Sequence, residues 1–128
     1  ARIHDDAPSI LDELMSKWAG TMNIDFEKSN IAYLTQYQLL AMNEFLSESL
    51  TNAFRHGRAA RASVNFDVDA RGQLHISVSD DGVGYIPSHP GLGSAIFDEL
   101  SNGSWEIHSR NDSHGTVVSI VIQPEEFK

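Results

Sequence analysis

Residues 48–57 read E-S-L-T-N-A-F-R-H-G and close the longest helical pattern of the chain, which runs from about Leu34 to His56. Leu39, Met42, Phe45, Leu46, Ser49, Leu50 and Ala53 recur at helical spacing and supply its apolar face, and Gly57 ends it. At about 100° per residue, Glu48, Asn52, Arg55 and His56 fall within roughly a 100° arc, away from the Met42/Phe45/Ser49 stripe. A carboxylate, an amide, a guanidinium and an imidazole therefore share one helix face. Standing alone, such a face is most simply a solvated one.

The elements on either side of this helix fix the fold class. Upstream, Ile10, Leu11, Leu14, Met15 and Trp18 repeat at helical spacing after Pro8, with Asp6 as a candidate cap, and residues 1–7 are expected to be disordered. Gly20 stops that helix, and Met22, Ile24 and Phe26 then alternate with Asn23 and Asp25 as a short half-buried strand. Downstream, Ala62, Val64, Phe66 and Val68 alternate with polar neighbours. A turn at Ala70, Arg71 and Gly72 leads to alternating Leu74, Ile76 and Val78, so the pair reads as a hairpin. Residues 80–92 form a loop rich in Gly, Pro and Asp, Ser94 to Leu100 a short helix closed near Asn102 and Gly103. A second hairpin joins Trp105–Ser109 to Val117–Ile122 around Asn111 to Gly115. The order predicts an α+β fold, a two-layer α/β sandwich with a mixed, mostly antiparallel sheet and three helices on one face.

Composition narrows the function classes. The 128 residues suit one domain, and 41% hydrophobic against 21% charged residues exclude general disorder. No apolar run reaches the ~20 residues of a membrane span, and the start lacks the layout of a signal peptide. Without cysteine there is no disulfide framework, thiolate zinc site or cysteine nucleophile. A net charge of −9 makes nucleic acid an unfavourable partner, and a phosphate ligand would need a divalent metal, a helix N-terminus or a few placed cations.

Further segments carry chemistry. D-D-G-V-G at residues 80–84 follows a strand; Gly82 and Gly84 permit close approach, and an Asp at a strand end can accept from an exocyclic amine. Gly91-Leu92-Gly93 opens a helix, which presents free backbone N–H groups to an anion. Neither a P-loop nor the G-x-G-x-x-G dinucleotide fingerprint is present. Each piece alone also fits an ordinary turn or loop. His75, His89, His108 and His114 lack metal-ligand spacing.

In order, E-x-x-x-N-A-x-R-H-G, D-D-G-V-G, G-L-G and the Gly115-Thr116 pair resemble the N, G1 and G2 boxes and the G-T pair of the Bergerat-fold ATPases. These form the GHKL superfamily of gyrase, heat-shock chaperone, histidine kinase and mismatch-repair ATP-binding domains. The resemblance runs from about Leu39 to Ile122. Within that superfamily the text is similar to the catalytic domain of sensor histidine kinases of the nitrate-sensor and membrane-fluidity-sensor type, with Tyr85 to Pro90 as a short lid. After Gly93 the chain reads S-A-I-F-D-E-L, departing from the M-R-E-R-like run of those kinases.

The resemblance implies ATP and Mg²⁺ as cofactors. It implies that Asn52 ligates Mg²⁺ and that Glu48 orients a water or serves as base. Arg55 and His56 would lie near the phosphates, and Asp80 would accept from the adenine 6-amino group. Thr116 would assist through its hydroxyl and a water. Gly82 and Gly84 would pass the base, and Gly91, Leu92 and Gly93 would wrap the phosphates. The implied reaction moves the γ-phosphoryl group to a histidine on a separate dimerisation domain, with a response regulator downstream. That acceptor domain is expected to be absent from this chain, leaving a monomeric cytoplasmic fragment. A serine kinase of the anti-sigma type and a non-catalytic nucleotide-binding module are the alternatives.

Overall fold

The computed structural model describes residues 7–27, 34–55, 58–83, 94–110 and 114–125. The elements run α1 (Ala7–Trp18), β1 (Asn23–Glu27), α2 (Gln36–Arg55), β2 (Arg61–Val68), β3 (Leu74–Asp80), α3 (Ser94–Ser101), β4 (Trp105–Ser109) and β5 (Thr116–Ile122). All eight expected elements form. Ala7 opens α1, and residues 1–6, on which the expectation of disorder mostly falls, lie outside the described residues.

The helix expected from Leu34 begins two residues later, because a reciprocal cap sets its start. Thr35 Oγ1 accepts from the Gln38 N–H at 3.1 Å, and Gln38 Oε1 accepts from the Thr35 N–H at 3.1 Å. Each satisfies a donor that the first helical turn leaves without a partner. Gln38 is itself buried, and its Nε2 donates to the carbonyls of Gly72 at 2.7 Å and Ile122 at 3.1 Å. The start of α2 is thereby tied to the β3-entry and β5-exit end of the sheet.

The sheet order is β1-β2-β3-β5-β4. β1 pairs parallel with β2, whereas the β2–β3, β3–β5 and β4–β5 pairs are antiparallel. Both expected hairpins are present, and α2 is the crossover that the one parallel pair needs. Burial alternates along the strands: Ala62, Val64 and Phe66 on β2, Leu74, Ile76 and Val78 on β3, and Val118, Ile120 and Ile122 on β5 face inward. They join Leu11 and Leu14 of α1, Phe45, Leu46 and Leu50 of α2, and Phe97 of α3 in one core. The helices therefore occupy one side of the sheet, and the other carries polar side chains such as Ser63, Asn65, Ser77 and Ser119.

Aromatic packing fixes α3. The Phe97 ring lies 5.1 Å from that of Phe45 and 5.2 Å from that of Trp105. The Trp105 indole N–H donates to Asp98, and the Tyr37 hydroxyl donates to the Leu100 carbonyl at 2.8 Å. Among the described residues no helix is long and apolar enough to cross a membrane.

Candidate functional site

At one end of the inner face the large apolar side chains give way to small and polar ones. Asp80 is the last residue of β3 and continues the buried row of Leu74, Ile76 and Val78, so a carboxylate stands where the alternation calls for a hydrophobe. The sequence placed it in a loop; the ladder instead carries it opposite Ala62. On β5, Thr116 is in phase with inward-facing Val118, and on α2 Ser49 and Ala53 follow Phe45.

Asp80 is only 7% exposed. Burial pushes its carboxyl above the ordinary value of 3.8, opposed by backbone N–H groups of Gly82 and Thr116 that donate to it. The Gly82 N–H lies 2.8 Å from Oδ1. A buried carboxylate with two backbone donors retains lone pairs for a further donor, which suits an amino group on a ligand.

Gly115 holds the neighbouring chain against this residue. Its φ is +132°, and a Cβ there would stand 1.8 Å from the Asp80 carbonyl oxygen, so only glycine fits. The Arg110 guanidinium Nη1 donates to that carbonyl at 3.3 Å, and the Arg110 N–H donates to the Gly115 carbonyl at 3.0 Å.

The adjacent carboxylate has a different task. Asp81 Oδ1 accepts from the Ala60 N–H at 2.8 Å and the Arg61 N–H at 2.9 Å, and the Asp81 N–H returns to the Arg61 carbonyl at 3.2 Å. Those donors, the Arg61 backbone first, hold its carboxyl below 3.8. Ala59 N–H in turn donates to the Ala53 carbonyl at 2.9 Å. Asp81 thus links the exit of α2 and the entry of β2 to the end of β3.

That linkage brings the C-terminal half of α2 to the Asp80 end of the sheet. Glu48 and Asn52 are half-buried and Arg55 is exposed. The arc they share borders the core stripe and does not stand clear of it. Seven residues is nearly two helical turns, so Asn52 lies about 20° from Phe45 around the axis. An amide and a carboxylate, one turn apart, thus lie at the half-buried margin of α2.

Hydrogen bonds join Asp80, Gly82 and Thr116 at this end, while Glu48, Asn52 and the exposed Arg55 lie on α2, whose exit the Asp81 linkage ties to the end of β3. His56, Gly84, Gly91, Leu92 and Gly93 lie outside the described residues. Sequence reasoning missed Asp81, Arg110 and the unpaired hydroxyl of Ser49. For Asp81 a signal existed: two consecutive acids after a strand point to opposite sides of it, so only one can face the core.

The family profile described as histidine kinase-, DNA gyrase B- and HSP90-like ATPase matches residues 38–126. The sensor protein NarQ homolog of Haemophilus influenzae is 30% identical over 120 residues, covering 88% of this chain and 21% of the relative. The chain therefore spans about a fifth of that curated relative's length. Among solved structures, the blue-light activated histidine kinase of Erythrobacter litoralis EL346 superposes with a TM-score of 0.69 at 24% identity, over 91% of this chain and 40% of that one. The catalytic domain of histidine kinase ThkA gives 0.70 at 13% identity over 96% of each chain. The ATP binding domain of PrrB from Mycobacterium tuberculosis gives 0.69 at 15% identity, over 94% of this chain and 96% of that one. At these identities the superpositions speak for the fold.

Proposed function

This chain belongs to the histidine kinase-, DNA gyrase B- and HSP90-like ATPase family, and from that premise we propose that it is the ATP-binding catalytic domain of a two-component sensor histidine kinase. The observation that carries this reading is the buried carboxylate of Asp80, placed at the α2 end that bears Glu48 and Asn52. Asp80 would accept from the adenine 6-amino group, selecting adenine over a base with a 6-oxo group. Thr116 would complete that contact through its hydroxyl, and Gly82 would give the base room beside the chain.

The donor set suits Mg²⁺. Asn52 offers one hard amide oxygen at the half-buried margin of α2, and among the described residues no three His, Cys, Asp or Glu side chains gather as a metal site. A divalent cation held by Asn52 would leave positions for phosphate and water oxygens. Bound there, it would neutralise the triphosphate that a chain of net charge −9 otherwise repels. Arg55 and His56 would add positive charge at the phosphate end, and Gly84, Gly91, Leu92 and Gly93 would enclose the phosphates with backbone N–H groups. Glu48 would orient the attacking group or accept its proton. Phosphoryl transfer of this kind depends on positioning and charge neutralisation, with little covalent work by the protein.

The nucleophile in this reading is a histidine of a separate dimerising helical domain, and a response regulator takes the phosphoryl group from it. The fragment itself would be monomeric and would act where ATP is, in the cytoplasm. The test is ATP binding by calorimetry with and without Mg²⁺, on the wild type and on Asn52→Ala. Wild-type binding should strengthen with Mg²⁺, and the variant should lose that dependence. Equal Mg²⁺ dependence in both proteins overturns the role given to Asn52.

A further inference from the structure

Two buried helical serines contrast. Ser101, fully buried at the end of α3, donates its hydroxyl to the Phe97 carbonyl at 2.7 Å, the usual way for a helical serine to pair itself with the preceding turn. Ser49, 4% exposed in the middle of α2, does not: its Oγ is buried and has no hydrogen-bond partner among the described residues. An orphaned hydroxyl inside a folded domain needs a physical reason.

Its direction follows from Gln38. Eleven residues separate the two along α2, so Ser49 points within about 20° of the same azimuth, about 16 Å further along the axis. Gln38 reaches between the Gly72 and Ile122 carbonyls, at the entry of β3 and the exit of β5. At about 3.3 Å per strand residue, the same distance along β3 and β5 leads to the stretch that ends in Asp80 and Thr116. The hydroxyl is thus directed at the sheet end where small and polar side chains replace the large apolar ones.

We propose that Ser49 is a specificity-determining residue of the purine pocket, its hydroxyl bonding the base edge held by Asp80, directly or through one water. This rests on reading the chain as an adenine-nucleotide-binding domain. A hydroxyl can donate and accept by rotating, so it suits a purine edge on which a ring nitrogen acceptor adjoins an amino donor. The free domain carries the cost of the unpaired group, and the ligand removes it.

The experiment uses the 128-residue chain and its Ser49→Ala, Asp80→Asn and doubly substituted variants, with ATP as the probe. Ser49→Ala should leave the thermal midpoint without nucleotide at or above that of the wild type, because no protein partner is lost. It should weaken ATP binding about three- to tenfold. Beside Asp80→Asn it should cost less than it does alone, because the two groups share one base edge. A merely structural hydroxyl gives the opposite pattern, a lowered midpoint with unchanged affinity, which overturns the proposal. Strictly multiplicative losses in the double variant overturn the shared edge. If the wild type binds ATP and Ser49→Ala binds it equally well, this inference falls while the nucleotide reading stands. A wild type with no affinity for ATP overturns both.

Discussion

Replacing Gly115 with alanine tests how tightly the candidate site is built into the fold. The added Cβ would stand 1.8 Å from the Asp80 carbonyl oxygen and 2.8 Å from Cδ of Arg110, and the backbone φ is +132°. The conformation alone costs an L-residue about 1–3 kcal/mol. The overlap is with backbone, so either the start of β5 or the end of β3 must shift by more than about 1 Å to reach ordinary contact distance. Together these make a loss on the order of 3–5 kcal/mol, at the upper end for a point substitution. For a domain of this length that corresponds to a fall of roughly 10–20 °C in the thermal midpoint.

Gly20→Ala supplies the control. Gly20 also has a positive φ, +81°, but a Cβ there meets nothing within 4 Å. It should cost only the conformational part, about 1–2 kcal/mol. Thermal unfolding by circular dichroism measures both variants. ATP titration well below each midpoint then separates loss of fold from loss of site. Gly115→Ala should bind weakly even when folded, since the Thr116 N–H that Asp80 accepts comes from the next residue; Gly20→Ala should bind as the wild type does. Equal midpoints for the two variants would refute the steric argument, and wild-type affinity in folded Gly115→Ala would refute the coupling of this turn to the site.

Three further predictions concern pH and packing. The folded domain holds the Asp80 proton more tightly than the unfolded chain, so the stability attributable to Asp80 falls as pH rises from 3.8 through its raised value, while ATP affinity rises over the same window. Urea unfolding and ATP titration against pH should show both trends in the wild type and neither in Asp80→Asn; parallel curves for the two proteins would remove Asp80 as their source. Gln38→Leu leaves the Gly72 and Ile122 carbonyls and the Thr35 N–H without their side-chain partner and should cost about 2–4 kcal/mol in urea unfolding. A loss below about 0.5 kcal/mol would show that water replaces those bonds. Asp81→Ala removes two backbone acceptor contacts at the α2–β2 connection and should cost about 1 kcal/mol at neutral pH. Because its carboxyl is held below 3.8, that difference from the wild type should vanish as the solution is acidified through and below that value; a difference that persists there would point to packing instead.

Much of this architecture was legible along the chain because burial on one side of a sheet forces period-two alternation, and the β2–β3 hairpin is closed by a short local turn. The partner of β1 was not legible. Met22, Ile24 and Phe26 announce a strand, but its parallel pairing with β2 is decided across the whole of α2. Asp80 reads as loop from sequence since a carboxylate breaks the apolar alternation, although the ladder runs through it. Thr35 and Gln38 form a capping box that apolar periodicity does not register. Ser49 falls within an apolar stripe, and a sequence shows where a hydroxyl faces but not whether a partner waits for it.

Asp80 ends the middle strand of five, flanked by a neighbour on either side, whereas among the described residues β1 and β4 are the outer strands. In native-state hydrogen exchange such a centre opens only with the whole molecule, while edges loosen on their own. A carboxylate on that mount is expected to keep its place through the domain's ordinary breathing, so a ligand held by it would be released by motion elsewhere.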